Sequence, residues 1–457
     1  MSKLLIKNAT LLTIAPGWNA TTGDILIDDD TISGVGPAAF SLGANIDEVI
    51  DATGMIALPG LVNAHVHLWQ AGLRGIAGDW TLGQYFGSML ASLAAHFTPQ
   101  DLYLGNLFGA LAQLDAGVTT AFDYCHNLTT PDHADRAVDA LQESGLRTVF
   151  GYGTAFDNLG AWYFDSKLPH PADARRMRVA RLADDSARVT MALAPRGPDF
   201  NDIQVSVADI RMARELGVVA SMHTGAGALG SAQRGIARLN EAKMLGPDVS
   251  FVHGNMISAD AFKAAADAGS AIIVTPEVEM QMGLGFPATG KIVAAGGMPA
   301  LGTDIASAVG DGLFAQMRIA LQMQRALDNA EALSRGEESQ TLSLSARDML
   351  TFATLGSARA IGLEKRIGSI EAGKQADIVL LRTDRLGMFP INDPVAAVML
   401  HACSADVDTV VVAGRTLKRN GALVNPPSKQ YRHAMIASAH RILETAAQQS
   451  KAPAQAH

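Results

Sequence analysis

The sequence predicts a (β/α)8 barrel accompanied by a small β domain that is assembled from both ends of the chain. Short apolar runs alternate with longer amphipathic segments eight times through the middle of the chain, which is the pattern of such a barrel. β-like runs separated by turns occur near both termini. With 457 residues, the chain has room for a barrel of about 250 residues and for this accessory domain.

The β domain is predicted from short runs near each terminus. The first part is expected in 1–57 and the second in 366–425, and a C-terminal helix with a polar tail is expected in 426–457. The runs lack the 3.6-residue period of a helix, and they lie at 4–6, 11–14, 24–27, 31–35, 377–381 and 408–412.

The barrel is predicted over 58–365. Each of its apolar runs ends in polar or glycine residues, and helix-like segments such as 99–116, 132–144 and 283–296 separate them. The predicted strands are 58–63, 118–123, 147–152, 189–195, 218–223, 249–253, 271–276 and 299–304.

Composition excludes several classes of function. Hydrophobic residues make up 48% and charged residues 18% of the chain, so a large core can be buried. The net charge of −9, with no clustered basic face, argues against nucleic acid or a membrane surface as the partner. Two cysteines are too few for a disulfide framework, and no apolar run reaches the ~18 residues of a membrane span. We expect a soluble, cytoplasmic protein.

Histidine and aspartate side chains recur at the C-terminal tips of the predicted strands. His65 and His67 follow the first run, and residues i and i+2 of a strand point to the same side. His223, His253 and Asp304 end the fifth, sixth and eighth runs. Any one of them could be a buried core residue or a helix cap, and an isolated HxH pair is a weak signal. Together, at the face where barrel active sites are built, they predict a metal site.

Four motifs resemble the amidohydrolase superfamily, and the nearest branch is that of the cytosine deaminases and s-triazine hydrolases (atrazine chlorohydrolase-like). They are PGLVNAHVH (59–67), LGTDIAS (301–307), GSIEAGKQADIVLL (368–381) and VDTVVVAGR (407–415). The resemblance covers nearly the whole chain. It implies a distorted (β/α)8 TIM barrel with a small β-sandwich domain built from both chain ends.

The resemblance also implies the roles of the strand-tip residues. The metal ligands would be His65, His67, His223 and Asp304, and His253 would contact the hydrolytic water or the reacting group. Binuclear relatives carry a carboxylated lysine at the fourth strand tip, whereas this chain has no lysine between 189 and 198, so a single metal is expected. Three imidazoles and one carboxylate suit zinc, which we expect first, or ferrous iron.

The expected activity is hydrolysis of a C–N bond, by deamination or amide-type cleavage, in a heterocyclic or aromatic small molecule. A bound divalent ion lowers the pKa of water from about 16 to about 7 and so supplies hydroxide for attack at neutral pH. Asp304 is placed to accept the proton of the water and to pass it to the leaving group. His253 is placed to hydrogen-bond the water or to polarise the developing oxyanion.

The chain departs from the branch at two positions. Deaminases of this branch usually place a glutamate three residues after the strand-five histidine, where this chain has Ala226. Glu279 stands where relatives commonly show asparagine, and it either supplies the missing proton donor or is a solvated loop carboxylate or arginine partner. The missing carboxyl keeps a second activity open, in which a halide, an alkylamine, a thiol or a substituted urea nitrogen leaves. A non-enzymatic scaffold is disfavoured because all five strand-tip residues are present.

Several further residues are predicted to shape the substrate site: Trp69, Gln70, Arg74, His126, Arg196 and Glu279. A structural salt bridge is the alternative for Arg74. Five aromatic residues between 152 and 164 either cover a flat substrate or form a subunit contact. Relatives are often dimers or higher oligomers, so we expect a homo-oligomer.

Overall fold

The computed structural model describes residues 2–36, 46–156, 161 and 165–451. Within these ranges the strands, in chain order, are β1 Lys3–Leu11, β2 Thr21–Asp28, β3 Thr31–Gly36, β4 Glu48–Asp51, β5 Met55–Pro59, β6 Leu61–Val66, β7 Val118–Cys125, β8 Arg147–Gly153, β9 Val189–Ala194, β10 Ala220–Thr224, β11 Val249–His253, β12 Ala271–Val274, β13 Ala300–Leu301, β14 Ile378–Arg382, β15 Val407–Val412, β16 Arg415–Arg419 and β17 Ala422–Leu423.

The α-helices of the described ranges lie mostly between the strands of the middle region. They are α1 Leu82–Tyr85, α2 Pro99–Asp115, α3 Pro131–Ser144, α4 Asp173–Ala180, α5 Ile203–Leu216, α6 Gly227–Gln233, α7 Gly235–Glu241, α8 Ala259–Ala268, α9 Pro276–Gln281, α10 Thr289–Ala294, α11 Leu313–Ser334, α12 Ala346–Thr351, α13 Ser357–Ala360, α14 Pro394–Leu400 and α15 Lys429–Lys451. Short 3-10 or π-helical turns occur at Leu68–Leu73, Phe86–Leu90, Leu93–His96, Phe352–Gly356 and Ser404–Asp406.

The described strands form two sheets. Strands β6 to β13 pair in sequence order as parallel neighbours. A parallel bridge between Val66, at the end of β6, and Asp304, just after β13, connects the last strand of this sheet to the first. The other sheet is mixed and combines β1–β5 from the N-terminal region with β14–β17 from the C-terminal region. The predicted fold, an eight-stranded α/β barrel with a β domain from both chain ends, is therefore confirmed. The predicted boundaries between the domains, at 57/58, 365/366 and 425/426, remain predictions.

The first predicted barrel strand, 58–63, differs from the observed one. Leu58 and Pro59 belong to β5, which pairs with β14 of the terminal sheet, whereas the barrel strand β6 begins at Leu61. Gly60 lies at the crossing between the two sheets, where a Cβ atom would stand 1.9 Å from the Thr119 hydroxyl oxygen. The chain can pass from one sheet to the other here because glycine has no side chain.

Local sequence signals explain where the helices begin. Thr98 caps α2 through its hydroxyl while Asp101 reaches back to the Thr98 backbone, and Pro99 is the first residue of the helix. This reciprocal cap satisfies donors that a helix start leaves unpaired.

The predicted helix at 283–296 is much shorter in the structure, where α10 spans Thr289–Ala294.

A buried ion pair connects the two sheets. Arg147 at the start of β8 donates from Nε and Nη2 to the Asp377 carboxylate, which precedes β14, at 2.8 and 2.9 Å. Both side chains are 2% exposed.

None of the helices in the described ranges is long and apolar enough to cross a membrane.

Candidate active site

Four potential metal ligands meet at the C-terminal end of the barrel. His65 is the penultimate residue of β6 and His67 follows that strand, His223 lies near the end of β10, and Asp304 follows β13. One ligand atom from each lies within 4.8 Å of every other. The Asp304 Oδ1 atom lies 3.2 Å from Nε2 of His65 and 3.2 Å from Nε2 of His67, and the Nε2 atoms of His65 and His223 are 3.3 Å apart.

Backbone hydrogen bonds between the first and last strand regions of the barrel hold His65, His67 and Asp304 in place. The Asp304 amide donates to the His65 carbonyl at 3.0 Å, and the His67 amide donates to the Asp304 carbonyl at 2.7 Å. Asp304 has φ +66°, in the left-handed region that non-glycine residues seldom adopt. The closure of the barrel therefore sets the spacing between the carboxylate and the two imidazoles.

The protonation of the histidines suits a cation. Nδ1 of His67 lies 2.7 Å from the Tyr124 carbonyl oxygen, which can only accept, so Nδ1 carries the proton and Nε2 has a free lone pair. Burial lowers the pKa of His65 to about 4 and the pKa of His223 well below its usual value, which favours neutral rings. Neutral imidazole nitrogens and a carboxylate oxygen that converge in this way fit a divalent transition metal.

Tyr124 occupies the space beside the four ligands. Its ring centroid is 5.3 Å from that of His65, 5.3 Å from that of His67 and 4.4 Å from that of His223. The Tyr124 hydroxyl donates to the Pro195 carbonyl just beyond β9. An aromatic ring therefore packs against the cluster on the side of the fourth strand, where the sequence has no lysine.

His253 lies beside the cluster, and two polar groups hold its far side. Its ring centroid is 5.5 Å from that of His223, and its Nδ1 atom is 3.1 Å from the Thr275 hydroxyl and 3.4 Å from Oε1 of Glu279. Burial lowers the pKa of His253, but the hydrogen bond with Glu279 and the charges of Asp304 and Glu279 outweigh it, so the pKa lies above its ordinary value. These neighbours therefore favour the protonated form of His253 more than water would.

Glu279 reaches the site only through His253. Its carboxylate is fully buried, and Oε1 accepts hydrogen bonds from the Thr275 amide at 2.8 Å and from the Thr275 hydroxyl at 3.2 Å. It is not among the residues that line the cavity above the cluster. The sequence suggested a donor that faces the substrate, a solvated carboxylate or an arginine partner, and the observed position behind an imidazole is none of these.

Two of the predicted substrate-binding residues act on neighbours that line the cavity. The Trp69 indole N–H donates to Nδ1 of His126 at 3.2 Å, which places the proton of a neutral His126 on Nε2. Gln70 donates from Nε2 to the Tyr85 hydroxyl at 2.6 Å and accepts from the Ser307 hydroxyl at 2.7 Å. His126 and Tyr85 line the cavity, whereas Trp69 and Gln70 are fully buried behind them.

The two predicted arginines lie away from the cavity lining. Arg74 forms an ion pair with Asp311, as in the alternative considered from the sequence, and its side chain is 41% exposed. Arg196 is buried, donating from Nε to the Asn201 side-chain oxygen at 2.9 Å and from Nη2 to the Leu168 carbonyl. Neither is among the described residues that line the cavity.

The cavity above the cluster has a volume of about 240 Å³ and walls that are mostly apolar. Of the aromatic group between 152 and 164, Phe156 contributes to the lining, whereas residues 162–164 lie outside the described ranges. Sequence analysis missed Tyr85, Tyr124 and Thr275. Tyr124 could have been predicted because it lies two residues before His126 at a predicted strand tip. No sequence pattern pointed to Tyr85 or Thr275.

Comparison with known proteins shows which family the chain belongs to. The model of the amidohydrolase family matches residues 56–417. The chain belongs to the amidohydrolase family. It is 31% identical over 435 residues to a protein of Moorella thermoacetica named 5-methylthioadenosine/S-adenosylhomocysteine deaminase, covering 92% of this chain and 95% of the relative. The family predicted from the motifs is thereby confirmed.

Further relatives of the amidohydrolase agree with this assignment. A 5'-deoxyadenosine deaminase of Methanothermobacter thermautotrophicus is 29% identical over 418 residues, covering 88% of this chain and 90% of the relative. A zinc-bound adenosine deaminase of Xanthomonas campestris has the same fold, with a TM-score of 0.84, 24% identity, and coverage of 98% and 99% of the two chains. Atrazine chlorohydrolase of Arthrobacter aurescens has a TM-score of 0.83, 24% identity, and coverage of 95% and 100%.

Proposed function

We propose that this amidohydrolase uses one divalent metal ion to hydrolyse a C–N bond in a heterocyclic or aromatic small molecule. The observation that carries the proposal is the convergence of three imidazoles and one carboxylate at the base of a mostly apolar cavity. The names of the relatives, which are adenosine-type deaminases, support the same class of reaction. We propose zinc as the ion, with iron as the alternative, because a structural relative was solved with zinc bound.

The metal would be held by His65, His67, His223 and Asp304. When bound, a divalent ion acts as a Lewis acid and lowers the pKa of a water molecule at the site. We propose that Asp304 accepts a proton from the attacking water and returns it to the leaving nitrogen. Its side chain lines the cavity and lies at the ligand cluster, so it would be within reach of both the water and the substrate.

His253 would stabilise negative charge that develops on the substrate. The Nδ1 proton is directed toward Thr275 and Glu279, so the opposite nitrogen is available on the cavity side for a second N–H donor. An imidazolium that is preorganised by a buried carboxylate stabilises an oxyanion without reorientation during the reaction. Glu279 is then a positioning residue, since it touches His253 and not the cavity.

A second candidate activity removes a leaving group other than ammonia. Among the described side chains that line the cavity, Asp304 is the only carboxylate, and Ala226 occupies the position where a deaminase of the branch would carry its glutamate. The leaving group would be a halide, an alkylamine, a thiol or a substituted urea nitrogen. Of these, a halide or a thiol distinguishes the second candidate from the first, because release of an alkylamine or of a urea nitrogen is itself C–N hydrolysis. The site and the metal would be unchanged.

Metal analysis tests the centre. Protein purified after growth with zinc or with iron should contain about one equivalent of metal, and His223→Ala or Asp304→Asn should contain much less. His401→Ala is the matched control because His401 is exposed and lies outside the cluster. Wild-type protein with under a few tenths of an equivalent after growth in both media would contradict the proposal.

Turnover tests the reaction. Release of ammonia and of amines should be measured over a panel of pyrimidines, purines, pterins, triazines, anilides and ureas, together with chloride release from chlorotriazines. Ammonia or amine release that is lost in His223→Ala supports C–N hydrolysis. Metal-dependent release of chloride or thiol alone would favour the second candidate.

We also propose that the protein acts in the cytoplasm as a homo-oligomer and that its units divide at 57/58, 365/366 and 425/426. The net charge, the low cysteine content and the β regions at both ends support these proposals. Light scattering after size-exclusion chromatography tests the oligomeric state, and limited proteolysis tests the boundaries. A single monomeric species at micromolar concentration would contradict the first.

A further inference from the structure

The walls of the cavity above the ligand cluster are built from hydrocarbon side chains. Residues from several separate segments contribute, among them Leu82, Phe86, Leu90, Phe200, Met282 and Leu284. The Phe86 and Phe200 rings lie with their centroids 6.3 Å apart, and the His126 and Phe156 rings meet edge to face at 4.8 Å. Such a lining removes apolar and aromatic surface from water and offers little to a hydroxyl or an anion.

Polar side chains of the lining are concentrated at the ligand cluster. Apart from the cluster and His253, the described lining residues with polar side chains are Tyr85 and His126. The Trp69 indole already occupies one nitrogen of His126. No lysine or arginine and no carboxylate other than Asp304 is found among the described lining residues. A substrate with several hydroxyls or with a charge would therefore lose hydrogen bonds to water that these walls do not replace.

Tyr85 stands at the end of a hydrogen-bond chain that is built to present a hydroxyl. The Ser307 hydroxyl donates to Gln70 Oε1, and Gln70 Nε2 donates to the Tyr85 hydroxyl oxygen. The Tyr85 oxygen thus accepts within the protein, and its own proton has no acceptor among the described residues. Tyr85 is 7% exposed and lines the cavity, so this proton is available to the acceptor of a molecule that binds there.

From this geometry we propose that the substrate is an uncharged N-aryl or N-alkyl amide, carbamate or urea, and that Tyr85 hydrogen-bonds one of its oxygen or nitrogen acceptors. The inference rests on the proposed C–N hydrolysis and names the substrate class of that site. Water adds to the carbonyl carbon, the C–N bond breaks, and the amine leaves with one proton of the water. A carboxylic acid remains from an amide, a carbonic acid monoester from a carbamate and a carbamic acid from a urea. An acyl carbon needs no protonated ring nitrogen, which agrees with Asp304 as the one carboxylate among the described lining residues.

The same lining disfavours nucleosides, although the relatives described above are named as deaminases of adenosine derivatives. A ribose brings hydroxyl groups, and beyond the cluster and His253 the described lining residues offer only the polar side chains of Tyr85 and His126 to pair them. A buried hydroxyl without a partner loses its hydrogen bonds to water. We therefore expect kcat/KM for 5'-methylthioadenosine to be at least tenfold below that for an anilide.

Steady-state kinetics on the metal-loaded enzyme test the inference. The probes are acetanilide and methyl N-phenylcarbamate, followed by aniline release, and adenosine and 5'-methylthioadenosine, followed by ammonia release. Higher kcat/KM for the anilide or the carbamate supports the proposed class. Higher kcat/KM for either nucleoside overturns it while leaving the proposed C–N hydrolysis intact.

Variants at two tyrosines test the contact with Tyr85. Tyr85→Phe should raise KM for acetanilide about tenfold, as expected for one lost hydrogen bond, with unchanged metal content. Its melting temperature should fall, because the buried Gln70 amide loses its acceptor. Tyr103→Phe is the matched control because Tyr103 bonds Glu143 and Tyr431 away from the cavity. Equal KM values for wild type and Tyr85→Phe would overturn the assigned contact.

If the enzyme turns over none of the probes, measurements of ligand binding can still test the substrate class independently of the proposed reaction. Acetophenone carries an aromatic ring and a carbonyl acceptor but has no C–N bond. Its dissociation constant, measured by ligand-observed NMR, should be lower than that of 5'-methylthioadenosine and should rise in Tyr85→Phe. That result supports the apolar specificity even where C–N hydrolysis fails, and the reverse order of affinities overturns it.

Discussion

The Glu279 carboxylate lies behind the His253 imidazole, with Oε1 of Glu279 3.4 Å from Nδ1 of His253. The Thr275 hydroxyl is within hydrogen-bond distance of both atoms, at 3.1 Å from Nδ1 and 3.2 Å from Oε1. A fully buried carboxylate in this position orients the ring and favours its protonated form. The site therefore contains a second carboxyl group, which contacts the histidine and is not among the described residues that line the cavity.

Replacing Glu279 should lower kcat without removing the metal. Glu279→Gln keeps the size of the side chain but removes the charge behind His253, and loss of such a supporting partner typically costs about 10–100-fold. The measurement is kcat and KM on a substrate from the panel above, together with metal content. KM should change little, since Glu279 does not line the cavity.

Glu277→Gln is the control for this prediction. Glu277 lies two residues away, and its carboxylate accepts from Gln316 instead of His253. Full kcat in Glu279→Gln, or an equal loss in Glu277→Gln, would argue against a specific role behind the imidazole.

Removing the indole N–H of Trp69 should weaken substrate binding through His126. Trp69→Phe keeps most of the buried aromatic volume but leaves Nδ1 of His126 without its donor, so the proton of the ring is no longer confined to Nε2. We expect KM to rise by about threefold to tenfold, the worth of roughly one hydrogen bond. Trp18→Phe, whose ring stacks under Arg347 outside the cavity, is the comparison, and equal KM values in the two variants would contradict the prediction.

The buried pair Arg147–Asp377 should contribute strongly to the stability of the joined sheets. Removing one member leaves an uncompensated charge at 2% exposure, which typically costs about 3–5 kcal/mol. We expect Arg147→Ala to lower the free energy of unfolding by this amount in denaturant titrations. Arg175→Ala should change stability little, because Arg175 and Glu215 are 52% and 60% exposed. Similar losses in the two variants would contradict the prediction.

Asp209 should make stability depend on pH in a defined direction. Burial raises the pKa of Asp209 to about 7, although the Arg196 charge and a backbone hydrogen bond from His170 lower it in part. In the unfolded chain its pKa is about 4, so between about pH 4 and pH 7 the unfolded state releases this proton first. The stability contributed by the protonated form is complete below about pH 4 and is lost as pH rises through about 7.

Asp209→Asn removes this titration. The melting temperature of the variant, relative to that of the wild type, should therefore rise between pH 5 and pH 8. Other carboxylates cancel in the difference because they are present in both proteins. A difference that stays constant or falls over this range would contradict the raised pKa.

Part of the site followed from sequence because strand geometry links chain position to space. His65 and His67 share one side of a strand end, and Asp304 follows the last strand, so their convergence could be predicted once eight strands were recognised. The placement of Glu279 could not be predicted in this way. Its helix α9 turns away from the strand, and only the packed structure shows that the carboxylate meets Nδ1 of His253.

Sequence alone determined the fold class, the family and the set of candidate ligands, because hydrophobic periodicity and short motifs are local properties of the chain. Tertiary structure decided that the Tyr85 hydroxyl accepts from Gln70, which itself accepts from Ser307. It also decided that Arg74 and Arg196 lie away from the cavity lining and that the walls are mostly apolar. These contacts join segments separated by up to 237 positions, so they exist only once the barrel has closed. Long-range packing, which no local pattern encodes, therefore sets the chemistry that the ligand cluster can offer to a substrate.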